Sequence, residues 1–308
     1  MSNSGGAHAA LTGRDLLAAL AVVLIWGTNF VAMKYGLRQL TPFQLGAGRY
    51  IFAVLPLVLF LRPPALPARW MLMYGLFQGV GQFGFVFLSL KVGMSASLAS
   101  VLLQTQIFFT ALYGFVLLNE RPSRQLVAGL FLAALGLVCF GMNYVGAAAL
   151  HTETTVAGFL LVLAGAAMWA ASNIVVRLAQ KAAPGFDPLA FLVWSSLMPI
   201  LPFMALSLAF DPPATRWVWL DAPWSMWLSL AYLGWMATIV GYGLWTSLLK
   251  RYPANRVAPF SLGVPVVGIT SGMVVLGESI TPWQWSGIAL IVAALGCVMF
   301  GGRLFRRP

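Results

Sequence analysis

The sequence predicts an all-α, polytopic membrane protein with ten transmembrane helices in two inverted five-helix repeats. Three observations predict it. Of 308 residues, 60% are apolar or aromatic and only 8% are charged, whereas a soluble chain carries about a quarter charged residues. The apolar residues gather into ten runs, each close to the roughly 20 residues that a membrane-spanning helix needs. The second half also repeats features of the first.

The runs are 15–35, 43–61, 70–91, 94–119, 124–142, 156–180, 187–210, 223–250, 254–277 and 283–302. In lipid only self-satisfied backbone survives, so these runs are helices rather than strands. The first carries Trp26 and Asn29, three apart and on one face. The second holds Arg49, the only cation well inside a span. The third bears Gln78 and Gln82, with Gly79, Gly81 and Gly84 allowing close approach of a neighbour. The fourth contains Gln104 and Gln106, two apart, so that only one is expected to point straight into a cavity. It ends on Glu120. Cys139 and Cys297 lie inside the fifth and tenth runs as small buried apolar groups, not a disulfide. The sixth run repeats the Trp and Asn pair as Trp169 and Asn173. Pro199 and Pro202 are expected to kink the seventh, and Tyr242, Trp245 and Thr246 lie on the eighth. Pro259 and Pro265 are expected to break the hydrogen-bond ladder of the ninth, which ends at Glu278. Connections are short and rich in turn formers, as in Arg62-Pro63-Pro64, Arg121-Pro122, Asp211-Pro212-Pro213 and Tyr252-Pro253.

Charge placement sets the orientation. With the N-terminus inside, thirteen Lys and Arg fall on the cytoplasmic side: Arg14, Arg62, Arg69, Arg121, Arg124, Arg177, Lys181, Lys250, Arg251, Arg256, Arg303, Arg306 and Arg307. Lys34, Arg38, Lys91 and Arg216 make four on the other side. The positive-inside rule then puts both termini in the cytoplasm. The net charge of +11 is topological and forms no stripe for nucleic acid. No cleavage site follows the first apolar run, so no removable signal peptide is expected.

A shift of 158 positions lays GFVLLNE (Gly114 to Glu120) on GMVVLGE (Gly272 to Glu278), Gly129 on Gly287 and Cys139 on Cys297. A shift of 143 lays Trp26 on Trp169 and Lys34 on Arg177. A unit of five helices is odd, so the second copy crosses in the opposite sense, an arrangement recurrent in secondary transporters. The expected organisation is a cytoplasmic segment 1–14, a first repeat 15–142, a linker 143–155, a second repeat 156–302 and a basic tail 303–308.

WGTNF from Trp26, the Glu-ended fourth and ninth helices and the five-plus-five plan resemble the EamA family of the drug/metabolite transporter superfamily. The likeness is greatest to its O-acetylserine/cysteine exporters, through GMSASLASVLLQTQIFFT from Gly93, VWSSLMPILPF from Val193 and ATIVGYGLWTSLLKRYPANRVAPFSLGVPVVG from Ala237. The resemblance implies a central cavity lined by helices 1, 3, 4, 6, 8 and 9, and export across the bacterial inner membrane. It also implies an Arg near position 49 outside the main lining, hence a structural one that snorkels or bonds helix-end carbonyls. The functional alternative for Arg49 is a bidentate grip on a substrate carboxylate.

Polar side chains within spans are site candidates by default. Trp26, Asn29, Gln78, Gln82, Gln104, Gln106, Trp169, Asn173 and Tyr242 therefore form the expected substrate site, suited to a small zwitterion. Each amide has the alternative reading of helix-to-helix glue. Glu120 and Glu278 are either gates or ties to helix N-termini, and repeat symmetry favours ties. Enzyme chemistry lacks its residues: the histidines, His8 and His151, lie in loops, and no span has Asp or Glu near its centre. No metal or other cofactor is expected. The expected partners are an amino-acid-like small molecule and membrane lipid, with protons an open coupling partner. Export of other amino acids, aromatic compounds or drugs is the alternative, and a channel is the alternative of a different class.

Overall fold

A computed structural model describes residues 11–120, 122–145, 154–252 and 254–304, excepting the side chains of 254, 255, 258 and 301–304. The expected linker, and the terminal segments except for 11–14 and the backbone of 303–304, lie largely outside them, as do Arg121, Glu153 and both histidines. The described residues are helical and contain no strand. We number the helices α1 (Gly13–Gly36), α3 (Ala68–Lys91), α4 (Ala96–Leu118), α5 (Arg124–Met142), α6 (Val156–Ala182), α7 (Pro188–Phe210), α8 (Trp224–Arg251), α9 (Pro259–Leu276) and α10 (Pro282–Phe300). All nine are long and apolar enough to cross a membrane. Between the first two lies α2 (Pro42–Val54).

The second apolar run is not one helix. Its helix has 13 residues, about 20 Å at 1.5 Å per residue, and ends where Leu55 takes an extended conformation (φ −91°, ψ 137°). Pro56 follows, and the residue before a proline is pushed out of the α region. The backbone freed there finds indole donors: Trp235 Nε1 donates to the Leu55 carbonyl at 2.9 Å and Trp194 Nε1 to Leu61 at 3.0 Å. Each bond satisfies a carbonyl outside the regular helix, as backbone at membrane depth requires. At its other end α2 begins with a capping box between Thr41 and Gln44.

The prolines of α7 and α9 act only in part as the sequence suggests. In α7 the α-helix stops at Ser195 and resumes at Ile200, so the interruption ends in Pro199, which has no N–H to close onto Ser195, as expected; Pro202 lies in the first turn of the new segment. In α9, Pro259 lies in a 3₁₀ stretch, Ala258–Leu262. Pro265, by contrast, breaks nothing. It stands in the first turn of the regular helix Gly263–Leu276, near the end where a missing N–H is tolerated.

The two halves repeat in detail. α4 and α9 both end in left-handed caps, Asn119 (φ 54°) and Gly277 (φ 69°). The next amides, of Glu120 and Glu278, close onto the carbonyls of Gly114 and Gly272 at 3.1 and 3.2 Å. α3 and α8 each contain a nine-residue π-helical segment, Gly75–Phe83 and Tyr232–Val240. α5 and α10 cross at small residues: a Cβ on Gly129 would lie 3.1 Å from the Ala294 carbonyl, and one on Gly287 3.0 Å from that of Gly136. Those two contacts exchange under the 158-residue shift, as a two-fold relation between the helices requires.

The outer surface is apolar. Phe131, Val138, Leu201, Leu208 and Val274 are exposed, Val274 by 78%. Such continuous apolar exposure has lipid rather than water as its solvent. The core lies where α1, α3 and α4 meet, around Met33, Phe87, Met94, Leu98 and Leu102. Cys139 and Cys297 are free thiols and half-buried.

Candidate functional site

A cavity of about 780 Å³ lies between the halves. α1 contributes Trp26 and Asn29, α3 Gln82, and α4 Gln104 and Gln106. α6 adds Trp169, Asn173 and Arg177, while α8 adds Tyr242 and Trp245. Ser261 and Val264 of α9 complete the wall.

Eight of the nine expected site residues therefore share one cavity. Gln78 does not line it. Its amide lies behind the wall, donating to the Tyr242 hydroxyl at 3.1 Å and accepting from Ser172 Oγ at 2.5 Å, so it positions Tyr242. Gln104 and Gln106 both line the cavity, where the sequence allowed only one. A 3₁₀ turn, Leu103–Thr105, separates them and winds more tightly than an α-turn. Arg49 is the largest departure. It lines the cavity instead of standing outside it, because α2 packs against the π segment of α8. There Thr238 Oγ1 accepts from Arg49 Nη2 at 3.1 Å and donates to the Leu233 carbonyl, five residues back, at 2.8 Å. In a π-helix that carbonyl is placed to take it; in an α-helix it would not be.

The same segment offers the Ala237 carbonyl to Trp26 Nε1 at 3.0 Å, fixing an indole that meets Tyr242 and Trp245 at 5.0 and 5.5 Å between ring centres. π segments concentrate at functional sites, and here both flank the cavity. Neither has a signature in hydrophobic periodicity. Across the cavity Asn173 Nδ2 donates to Gln106 Oε1 at 2.8 Å and to Thr110 Oγ1 at 3.3 Å, while Gln104 Nε2 donates to the Ser261 carbonyl at 3.2 Å. These amides join helices as well as line the wall. Asn29 Oδ1 and Gln82 Oε1 are buried without a partner, as are Arg49 Nε and Nη1.

The two helix-ending glutamates are placed differently. The Glu278 carboxylate accepts from the amides of Ala96 and Ser97 at 2.6 and 2.8 Å and from Ser97 Oγ at 2.7 Å, on the N-terminus of α4. Glu120 instead pairs with Arg177 in a two-pronged contact, which holds its carboxyl below the ordinary value of 4.5. No group of three or more His, Cys, Asp or Glu stands where it could hold a metal, among the described residues.

An all-helical membrane protein with two related halves around a polar and aromatic cavity is the class that fold and site define. The chain belongs to the EamA-like transporter family, which matches residues 14–142 and 156–300. It is a multi-pass membrane transporter and not an enzyme. It is 40% identical over 299 residues to a "Probable amino-acid metabolite efflux pump" of Salmonella typhimurium, covering 96% of this chain and 98% of that one. Identity to an Escherichia coli protein of the same description is 38%, covering 95% and 97%. A solved crystal structure with 20% identity superposes with a TM-score of 0.62 over 96% of this chain and all of the other, a likeness of fold.

Proposed function

We propose that the protein exports small amino-acid metabolites, of the cysteine or O-acetylserine kind, from the cytoplasm across the bacterial inner membrane by alternating access. The observation that carries this reading is the cavity between the halves, walled by amides, indoles and hydroxyls with Arg49 and Arg177 as its charged groups. Such groups replace part of a zwitterion's hydration without a fixed negative charge that would retain it. The similarity to relatives described as amino-acid metabolite efflux pumps supports the same substrate class.

The thirteen-to-four charge bias supports cytoplasmic termini. In that orientation Arg177 and Leu249, which line one end of the cavity, stand near the cytoplasmic ends of α6 and α8. Glu278 joins α9 to α4 near the opposite membrane face. The cavity is then loaded from inside, as an exporter requires. No Asp or Glu is among the described residues lining it, and exchange driven by the substrate gradient would call for none there. Counterflow in proteoliposomes tests the proposal, with labelled cysteine and O-acetylserine, with and without a pH gradient. Uptake accelerated by substrate on the far side is expected. Flux without such acceleration would make the protein a channel, and no uptake of either compound would remove the substrate class.

A further inference from the structure

The groups left unpaired around the cavity are complementary. Arg49 is only 1% exposed, and its one hydrogen bond runs from Nη2 to Thr238. Nε and Nη1 carry three more N–H donors and meet no acceptor. Neither the Arg177–Glu120 nor the Arg251–Asp15 ion pair involves Arg49. Its guanidinium carbon rests over the Phe83 ring at 3.7 Å. That contact partly offsets the charge but leaves the donors unused. Breaking or omitting the partner of a buried charge is strongly destabilising, so a fold that keeps one is expected to gain something by it.

Asn29 and Gln82 show the converse. They are 7% and 2% exposed, and Oδ1 and Oε1 are acceptors without donors. All three residues line the same cavity. We propose that they recognise the substrate as a zwitterion, the Arg49 guanidinium taking the carboxylate and the Asn29 and Gln82 carbonyl oxygens taking the ammonium. This deepens the reading as an amino-acid exporter and rests on it. Water that enters the cavity of about 780 Å³ can reach Arg49 as a substrate would, but it answers only the donors. One water accepts from one or two donors and neutralises no charge. A carboxylate does both, through the parallel pair of hydrogen bonds that a guanidinium favours.

The test pairs each free acid with its blocked forms. Purified parent protein is titrated with serine, cysteine and phenylalanine, with their methyl esters and with their N-acetyl derivatives, reading ligand-induced thermal stabilisation and inhibition of counterflow. At least one free acid is expected to bind about tenfold or more tightly than either blocked form, the loss of a charge-assisted hydrogen bond. Arg49→Lys keeps the charge without the fork. In that variant the preference for acid over ester is expected to fall severalfold, and in Arg49→Leu, which lacks the charge as well, to collapse toward one, while preference over the N-acetyl form persists. Asn29→Leu should show the opposite pattern. Esters that bind the parent as well as the acids would overturn the proposal, as would an Arg49→Lys protein that keeps full discrimination. The parent titrations decide even if a variant fails to fold. If no free acid binds or exchanges at all, the exporter reading itself falls and takes this inference with it.

Discussion

Removing the Glu278 carboxylate isolates what one helix-end tie contributes. Glu278→Ala takes the acceptor from three donors: the amides of Ala96 and Ser97 and the Ser97 hydroxyl. The hydroxyl keeps an alternative in the Ile269 carbonyl at 3.3 Å. The two amides lose their acceptor, and both residues are fully buried. An orphaned buried donor costs about 1–3 kcal/mol, so two give about 2–6 kcal/mol. Water moderates this, because a polar pocket of about 420 Å³ lined by Ser95 and Glu278 adjoins the site and can hydrate part of what is exposed. The lower end, about 2–3 kcal/mol, is therefore the expected loss. Glu278→Gln keeps one acceptor oxygen and should lose about half as much, including about 0.3–1 kcal/mol for the charge at a helix N-terminus. Unfolding in mixed micelles with rising SDS measures both. An alanine variant within about 0.5 kcal/mol of the parent, the ordinary range of an uninvolved surface position, would refute the tie.

Three further outcomes are expected. Cysteine placed at Ala214 should react with an impermeant thiol reagent on intact cells, and cysteine at Pro67 only after permeabilisation; labelling of Pro67 from outside would invert the orientation. The Glu120 carboxyl is held low first by its hydrogen bonds to Arg177, so its contribution is present above the ordinary value of 4.5 and fades as pH falls through the lowered one. Thermal stability should therefore decline less on acidification in Glu120→Gln than in the parent, and parallel curves would count against the pair. Gly136→Val should force α5 from α10, because even a Cβ there lies 3.0 Å from Ile291 and 3.1 Å from the Gly287 carbonyl; about 1–3 kcal/mol of overpacking should appear as lost folded yield, and normal yield would contradict the crossing.

What the sequence made legible was whatever composition and repetition encode. Ten apolar runs and a repeated Gly-to-Glu tail are one-dimensional patterns, and the caps at Asn119 and Gly277 follow from that tail. The Trp26, Asn29, Trp169 and Asn173 set was legible because polar groups in lipid-length helices are rare enough to stand out singly. Arg49 was misplaced for a different reason. Its position depends on the π segment of α8, and nothing in the spacing of apolar residues from Tyr232 to Val240 reports a change from four-residue to five-residue hydrogen bonding. The same holds for Gln106, whose direction is set by one 3₁₀ turn. Pro56 did carry a signal: the residue before a proline leaves the α region, which would have divided the second run.

The amides of the cavity can be separated by what they already hold. Asn173 is committed: its Nδ2 donates to Gln106 and Thr110. A substrate that uses it must break one hydrogen bond to make another, and the exchange leaves little net affinity. Asn29 Oδ1 is buried without a donor, so a substrate ammonium relieves a cost the empty protein carries. Asn29→Ala should therefore weaken substrate affinity by about tenfold to a hundredfold, the equivalent of about 1–3 kcal/mol, with little change in stability. Asn173→Ala should do the reverse. It strips a donor from Gln106 and Thr110 and costs about 1 kcal/mol of stability, while affinity changes by less than about threefold. Half-saturation in counterflow and SDS unfolding, measured on both variants, give the two orderings independently. If Asn173→Ala loses more affinity than Asn29→Ala, prior commitment to a partner does not decide which amide meets the substrate.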